Sequence, residues 1–528
     1  MEETKTPDIQ LSHLAQLVIT ACEQTAAVNT ERKITVNPII AKFASWYERV
    51  RSAMEYREEE VMLRSTIERI LRRRLLLGGN AKTAAEPLVR ELVWARYLED
   101  NSVPESAVQD VETIIDLYLQ LRFLILKERK LSEGTVNEWI YHLMSSHIEH
   151  ALHPNVTKET VANLMFHTLK GQVFLPDESE ETRDAQAYIG VRRAFARDDL
   201  AFLHYHLFKL YFGDINHENL PRIAAEFHAG YQEIMRQLNY FGKERIYSYV
   251  RKRAAVFFIL EDVLTGNKGH LQALVTHEDQ LKQAIYAACE KRYNSVKSKV
   301  RRAIVRSVIF ILFTKVIFAF AVEGTYERYF YGEIQWTSLL INTSIPPVLM
   351  IVVSLFIRTP GQDNTQSIHS YIKQILYHDN PRLGESVRIS KSDERARPFL
   401  NAIFSLLWLS AFIVSYGLIA YILIQLEFRF INQVIFMFFL TIVSFLSYRL
   451  SIIANRYRVG EKQGLITPLV DFFFMPVVRV GRNLTEEIGK FNLLIIVVDF
   501  VIETPFKVTI AFFEQWFHFL HSKREELG

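Results

Sequence analysis

A lysine stands in the middle of a long apolar segment, where its charge is unexpected. Lys315 lies within FILFTKVIFAF, whose other residues are apolar except for one threonine. A lysine at the centre of a membrane-spanning helix costs about 3 kcal/mol, so we expect a partner or a water-filled cavity. Two interpretations stay open: a site for an ion, proton or anionic substrate, or a structural ion pair or a side chain that reaches the interface. We favour the structural interpretation, because a single embedded charge is not enough to indicate transport.

Three charged residues in the last apolar segment are spaced by four: Asp499, Glu503 and Lys507. This spacing places them on one face of a helix whose remaining surface is apolar. Glu503 can pair with Lys507 along that face, and Asp499 or Glu503 can pair with Lys315 if the segment spans a membrane. Residues 491–520 are therefore predicted to form an in-plane amphipathic helix or a fifth span, and the basic tail that follows favours the in-plane helix.

Two adjacent prolines, Pro346 and Pro347, lie midway through another apolar segment, shortly after Asn342. Each proline removes a backbone donor and disturbs the helical hydrogen bonds of the preceding turn. The freed carbonyls could line a cavity, as in the broken helices of transporters, but nearby Asn, Thr and Ser side chains can equally satisfy them. We interpret the prolines as a kink, because no matching interruption occurs in a second half of the chain.

A run of basic side chains without acidic ones occupies residues 291–306. Its members are Lys291, Arg292, Lys297, Lys299, Arg301, Arg302 and Arg306. Such a run beside an apolar segment marks the cytoplasmic side of a membrane and predicts contact with anionic lipid headgroups. The net charge of +3 over the whole chain is too small to indicate nucleic-acid binding.

The motifs of common enzyme classes are missing from the sequence. It contains no GxxxxGK[ST], GxGxxG, GxSxG or HExxH pattern. His147, His150 and His153 follow helical spacing, but a solvated or capped helix end explains them better than a zinc site. The two cysteines, Cys22 and Cys289, are far apart and form neither a metal motif nor a disulfide framework. We therefore predict no enzymatic activity, no cofactor and no metal.

These patterns predict an all-α fold, in which a soluble N-terminal helical region precedes a polytopic α-helical membrane domain. Residues 1–290 combine apolar residues at helical spacing with short breaks, and they lack sustained alternation. An acidic stretch with a proline near 171–184 suggests a subdomain boundary. Before this boundary, Ser102–Glu105 has the form of a capping box. After it, we predict one helix over 185–212.

Four apolar segments are long enough to cross a bilayer, which takes about 20 residues. They are 303–322, 337–357, 399–425 and 432–454. The acidic connection 323–336 and the basic connection 358–398 alternate between the two sides, so the N-terminal region is predicted to be cytoplasmic. The shorter run 465–480 contains prolines and charges and is predicted to be interfacial or re-entrant.

This organisation predicts a multi-pass protein of the plasma (inner) membrane. The polar N-terminus MEETKTPDIQ has no signal-peptide pattern. We favour a membrane-anchored binding or scaffold protein, because the larger part of the chain precedes the membrane segments and carries no reaction motif. The alternative is a secondary transporter or channel that uses the embedded charges. The expected partners are the bilayer, with anionic headgroups at its cytoplasmic face, and a protein bound by the N-terminal region.

Overall fold

Helices make up nearly all the regular structure of this chain. The computed structural model describes residues 11–23, 33–36, 42, 61–76, 79–390, 397–426, 428–459, 512 and 516. Within these ranges the strands β1 (Val173–Phe174) and β2 (Val387–Arg388) are two residues long each and pair with one another. The all-α prediction is therefore confirmed. The predicted segments 465–480 and 491–520, with Asp499, Glu503 and Lys507, lie outside the described residues.

The described residues fall into two compact units, each with its own hydrophobic core. The core unit holds those of Gln16–Val173, Glu178–Arg251 and Phe491–Gly528. The bundle unit holds those of Met1–Ala15, Phe174–Asp177 and Lys252–Lys490. Two helices, α1 (His13–Glu23) and one at Lys243–Gly266, contribute residues to both units.

The core unit is a set of packed helices around a large apolar centre. After α1 they are α2 (Met62–Leu76), α3 (Ala81–Trp94), α4 (Ser106–Glu128), α5 (Glu133–Leu152), α6 (Val156–Lys170), α7 (Glu180–Val191), a first π-helical turn (Arg192–Ala196), α8 (Leu200–Phe212), α9 (Leu220–Leu238) and the shared helix α10 (Lys243–Gly266). Large side chains such as Tyr118, Phe208 and Phe227 are buried in one cluster. Burial of this apolar area is the main source of the unit's stability.

Local capping decides where helices of the core unit begin. Asn80 accepts the Thr83 N–H through its side chain at 3.0 Å, and its own N–H donates to the Thr83 hydroxyl at 3.0 Å. This capping box starts α3. The capping box predicted at Ser102 is wrong: α4 begins at Ser106, and its N-cap Glu105 forms no capping hydrogen bond through its side chain. The Ser102 hydroxyl donates instead to the Glu99 carbonyl.

Asn80→Ala is expected to lower the free energy of unfolding by about 1 kcal/mol, because the variant loses the side-chain half of the capping box. Ser102→Ala is the matched control, since it removes a hydroxyl that caps no helix, and a change within about 0.5 kcal/mol is expected. Thermal unfolding of the full chain in detergent micelles compares the two. Equal losses in both variants would contradict the assignment of the box.

The helix predicted over 185–212 is interrupted. α7 passes into the first π-helical turn, after which Arg197 adopts a left-handed backbone with φ of 62°. Asp199 then caps α8, because its Oδ1 accepts the Phe202 N–H at 3.0 Å. A left-handed residue ends one helix and a side-chain cap begins the next. The interruption brings two acidic residues, Asp198 and Asp199, into a short connection between helices.

The bundle unit contains the long apolar helices. They and their neighbours are α11 (Leu271–Thr276), α12 (Glu278–Phe318), a second π-helical turn (Ala319–Gly324), α13 (Thr325–Tyr331), α14 (Trp336–Leu355), α15 (Gln362–Tyr377), α16 (Arg397–Gln425) and α17 (Phe430–Ala454). α12, α14 and α17 pack against one another, α15 packs on α12, and α16 packs on α17. Ile311, Met350 and Phe439 are fully buried or nearly so where the three central helices meet.

Helix continues where a loop was predicted. Residues 278–331 are helical throughout, so the segment 303–322 is not separated from the helix before it, and the connection 323–336 is helical as far as Tyr331. Gly332 ends the helix with a left-handed φ of 78°, a conformation that glycine adopts at little cost. Consequently Glu323 and Glu327 lie on a helix and not in a loop.

Three described helical segments are long and apolar enough to cross a membrane: Glu278–Tyr331, Ser405–Gln425 and Phe430–Ala454. The apolar part of α14, Leu339–Leu355, is shorter. Pro346 and Pro347 lie inside α14, which continues through both from Trp336 to Leu355. The broken helix that would line a cavity is therefore not formed at these prolines.

Candidate functional site

Lys315 is buried in the bundle unit, where it forms an ion pair with Glu323. Both side chains have 0% exposure, and Lys315 Nζ donates to Glu323 Oε1 at 2.5 Å. The Nζ atom also lies 5.0 Å from the centroid of the Phe439 ring, within the range of a cation–π interaction. The partner of Lys315 thus comes from the same helical segment, and the pair requires neither Asp499 nor Glu503.

The second π-helical turn explains how Lys315 meets Glu323. Eight residues of uninterrupted α-helix make about 2.2 turns and would leave the two side chains about 80° apart around the axis. The turn Ala319–Gly324 begins four residues after Lys315 and includes Glu323, and a π turn takes more residues per turn than an α turn. The eight residues therefore make close to two turns, which places both side chains on one face. π-helical turns occur frequently at functional sites.

A chain of hydrogen bonds extends this ion pair to α14 and α17. Asn342 Nδ2 donates to Glu323 Oε2 at 2.6 Å and to the main-chain oxygen of Asn432 at 3.3 Å. Asn432 Nδ2 donates to Glu327 Oε1 at 2.7 Å. We call the residues joined in this way the polar cluster: Lys315, Glu323, Glu327, Asn342 and Asn432. All five have 0% exposure.

The second oxygen of Glu327 is held by a backbone amide and faces a cation. The Gln335 N–H donates to Glu327 Oε2 at 2.8 Å, and Arg429 Nη1 lies 3.9 Å from the same atom. The Arg429 guanidinium also lies over the Tyr331 ring, 3.9 Å from its centroid. Because 3.9 Å is too long for a hydrogen bond, Arg429 balances Glu327 by charge alone.

The sequence singled out two members of the polar cluster and missed three. Lys315 and Asn342 were candidates because each is polar within an apolar run. Glu323 and Glu327 are four residues apart, which would have indicated that these two share a helix face had the helix been extended past residue 322. Asn432 gave no local signal, since its partner Glu327 is 105 residues away in the chain.

In the bundle unit a group of charged and polar side chains is buried and many large apolar side chains are exposed, which is the reverse of a water-soluble protein. The polar cluster is fully buried, whereas Leu355, Phe356 and Phe430 expose 75%, 75% and 76% of their surface. On α16, Leu406 exposes 68%, and on α13, Tyr329 exposes 82%. Large apolar side chains outside and paired charges inside suit an apolar solvent, where lipid replaces water around the helices.

Arg292 differs from the other basic residues of 291–306 because it is bound internally. Its Nε and Nη2 donate to the two carboxylate oxygens of Asp262 at 2.5 and 2.6 Å, and its Nη1 donates to the Tyr457 hydroxyl at 2.9 Å. The remaining basic side chains are exposed on α12: Lys291, Lys297, Lys299, Arg301, Arg302 and Arg306. A continuous helix therefore joins an exposed basic surface directly to the apolar bundle.

Arg192, at the start of the first π-helical turn, connects two carboxylates and a histidine inside the core unit. Its Nε and Nη2 donate to Asp198 Oδ2 and Oδ1 at 2.6 and 3.1 Å, and its Nη1 donates to Glu159 Oε2 at 2.6 Å. Nη2 also donates to His206 Nε2 at 2.6 Å. Burial lowers the pKa of Arg192, but the carboxylates of Asp198 and Glu159 outweigh burial and raise the pKa above its usual range.

A second buried arginine, Arg64 on α2, binds the neighbouring aspartate. Its Nη2 lies 2.7 Å from Asp199 Oδ2, and its Nη1 donates to Glu68 Oε2 at 2.6 Å and to the Ser145 hydroxyl at 3.2 Å. Asp198 and Asp199 are thus held by arginines from different parts of the unit. The short connection before α8 is the point where these two ionic groups meet.

Burial keeps three titratable side chains of the core unit neutral at pH 7. It raises the pKa of Glu149 to about 8, although Arg64 acts in the opposite direction. It lowers the pKa of His147 to about 4 and that of His204 to about 3. His204 is stacked on Trp139 at 4.1 Å between ring centroids, and its Nδ1 lies 3.1 Å from His142 Nδ1. His147 and His204 therefore contribute to the packing of the core unit.

The stability of the chain is expected to fall as the pH drops below 6.5. His204 has a folded pKa of about 3 and an ordinary value of 6.5, so its neutral form stabilises the fold above pH 6.5, and this contribution is lost as the pH falls toward 3. Between pH 6.5 and 5 the loss is about 2 kcal/mol, from roughly 1.4 kcal/mol per pH unit. His204→Phe keeps the ring stacking and should flatten the decrease of Tm between pH 7 and 5. The exposed His217→Phe is the control, and an unchanged profile in His204→Phe would contradict the assignment.

Groups of three or more His, Cys, Asp or Glu side chains that could hold a metal ion are not found in the described ranges. Comparison with protein-family models, with curated proteins and with solved structures gives no match to this chain. The geometry of its own residues is therefore the basis for a functional proposal.

Proposed function

We propose that this chain is a multi-pass membrane protein whose apolar helices anchor a helical binding or scaffold region at the cytoplasmic face. The observation that supports this most directly is the reversed burial of the bundle unit, with Phe430 exposed by 76% and Lys315 by 0%. In water such a surface would aggregate, because exposed apolar patches of this extent are unfavourable. In a bilayer the same surface is matched to its solvent.

An anchor requires that its own charges be balanced, and those of the polar cluster are. Lys315 pairs with Glu323, and Arg429 faces Glu327. Unpaired charges inside a bilayer are costly, so internal pairing lowers the cost of embedding these helices. The core unit, in contrast, has a large apolar centre of its own, as expected for a folded region outside the membrane.

The basic residues of α12 give the proposed orientation. In membrane proteins Lys and Arg concentrate at the cytoplasmic ends of spans. Six such side chains are exposed just before the apolar part of α12, so we place that end, and the core unit, in the cytoplasm. Anionic lipid headgroups are the proposed partners of this surface.

Cysteine labelling tests the topology. In a chain with Cys22 and Cys289 replaced by alanine, we place single cysteines at Lys297 and Glu333, both exposed. A membrane-impermeant maleimide should label Lys297→Cys only from the cytoplasmic side and Glu333→Cys only from the other side. Labelling of both from one side would contradict the spanning arrangement. A third cysteine, at Ser522, distinguishes four spans from five. Labelling from the cytoplasmic side indicates four spans, and labelling from the other side indicates five.

Lipid contact is tested by native mass spectrometry of the full chain after mild delipidation. Lys297, Lys299 and Arg302, replaced together by glutamine, should lose retained anionic lipid relative to the wild type. Lys127, Arg129 and Lys130 are equally exposed bases on and beside α4, and their triple replacement is the control. Equal lipid retention by both triple variants would remove the headgroups as partners of α12.

A transporter or channel is the second candidate, favoured by the ion pair of Lys315 and Glu323 inside the bundle. Ionisable residues within spans often belong to ion or proton pathways. Proteoliposomes separate the two candidates: an anchor gives no H⁺, Na⁺ or K⁺ flux above that of empty vesicles. A flux that disappears in the double variant Lys315→Met/Glu323→Gln would replace the anchor proposal with transport.

A further inference from the structure

Two buried amides of the polar cluster each have one atom unsatisfied. The amide oxygens Oδ1 of Asn342 and of Asn432 have no hydrogen-bond partner among the residues that the structure describes. The NH₂ groups of both side chains donate to the carboxylates of Glu323 and Glu327. These bonds determine which atom is the oxygen, since a flipped amide would place its oxygen against a carboxylate.

The two asparagines that carry these oxygens are neighbours in the bundle unit. The Asn342 side chain donates to the main-chain oxygen of Asn432 at 3.3 Å, so the two residues are in direct contact. Each asparagine is 0% exposed. Buried polar atoms in folded proteins are nearly always satisfied by protein, water or an ion, and the exceptions call for a ligand or a functional role. Two unsatisfied acceptors on adjacent residues indicate a shared ligand.

The chemistry around these oxygens selects the type of ligand. Amide and carboxylate oxygens are hard ligands that suit alkali and alkaline-earth cations. Lys315 neutralises Glu323 through a direct hydrogen bond. Arg429 only approaches Glu327, at 3.9 Å, so it compensates this carboxylate less closely than Lys315 compensates Glu323. Because only one carboxylate is partly compensated, the site favours a monovalent cation over a divalent one.

We infer that Asn342 Oδ1 and Asn432 Oδ1, flanked by the carboxylates of Glu323 and Glu327, form a binding site for a monovalent metal cation, for which sodium is the probe. The bound ion links α14 and α17 to the helix that carries both glutamates. It takes the place of hydrogen-bond donors that the amide oxygens lack, so binding stabilises the packing of the three helices.

The site goes beyond the anchor proposal and does not depend on transport. A bound ion that is never released to the other side is structural, whereas an exchanging ion supports the second candidate function. Binding without flux would leave the anchor and the site in place. Absence of binding would remove the site and leave the anchor unaffected.

Thermal unfolding of the full chain in nanodiscs tests the inference. NaCl should raise Tm in a saturable manner relative to N-methyl-D-glucamine chloride at the same ionic strength. Asn342→Leu and Asn432→Leu keep the side-chain size and should abolish this sodium-specific rise. Asn455→Leu is the matched control at the C-cap of α17, because the Asn455 side-chain amide donates to Ser451 in that helix, and it should keep the rise.

Glu327→Gln keeps the side-chain shape and one of the two acceptor oxygens, and it serves if the leucine variants do not fold. It should require at least tenfold more sodium for the same rise in Tm. The inference is overturned if sodium and N-methyl-D-glucamine stabilise the wild type equally. It is also overturned if the sodium-specific rise survives at unchanged concentration in Glu327→Gln or in both asparagine variants.

Discussion

Lys315→Met is expected to destabilise the bundle unit by roughly 3–5 kcal/mol, because the variant leaves the Glu323 carboxylate buried without its cation. Glu323 has 0% exposure and keeps only the hydrogen bond from Asn342. Solvation by water is not accessible to it, so the loss of the partner is not screened. The expected result is a large decrease of Tm in detergent micelles, accompanied by faster backbone hydrogen exchange in α12 and α14.

The double variant Lys315→Met/Glu323→Gln separates the effect of charge from that of packing. It removes both charges and retains an amide oxygen that can accept from Asn342. Replacing a buried ion pair with neutral groups of similar volume is often nearly neutral in stability. We therefore expect the double variant to recover most of the loss. A single variant as stable as the wild type, or a double variant as unstable as the single one, would contradict the proposed pairing.

Arg192→Met is expected to destabilise the core unit by roughly 3–5 kcal/mol. The variant leaves the side chain of Asp198, which is 6% exposed, and that of Glu159 without the cation that binds both. His206 loses its donor at the same time. Because α6, the first π-helical turn and α8 all contact this arginine, hydrogen exchange should accelerate in α6 and α8 together.

Arg193→Met is the matched control in the same π-helical turn. The Arg193 side chain is 26% exposed, and its partner Glu244 is 63% exposed. Exposed ion pairs contribute at most about 1 kcal/mol, so a small change in Tm is expected. The full chain in detergent micelles is used for both variants. Similar losses for Arg192→Met and Arg193→Met would show that burial does not distinguish the two arginines.

Local sequence patterns of this chain predict that its segments are helical. They often do not predict where a helix begins, ends or is interrupted. The apolar residues at helical spacing correctly indicated an all-α fold. They did not reveal that 185–212 is broken, because the break depends on the left-handed Arg197 and on Asp199 as a cap. They also did not reveal that helix extends to Tyr331, because a charged stretch after an apolar run resembles a loop. Ser102 shows the opposite error, in which a motif with capping form caps nothing.

The same distinction applies to the polar cluster. The amino-acid sequence alone determines that Lys315 and Asn342 lie within apolar runs of the chain and that Lys315 needs a partner or a water-filled cavity, since both conclusions depend only on neighbours along the chain. Tertiary structure decided that the partner is Glu323, because a π-helical turn with no local signature rotates it onto the face of Lys315. It also brought Asn432 to Glu327 across 105 residues. Hydropathy and periodicity are sums over neighbouring residues, whereas the choice of partner depends on helix register and on packing between segments that are distant in the chain.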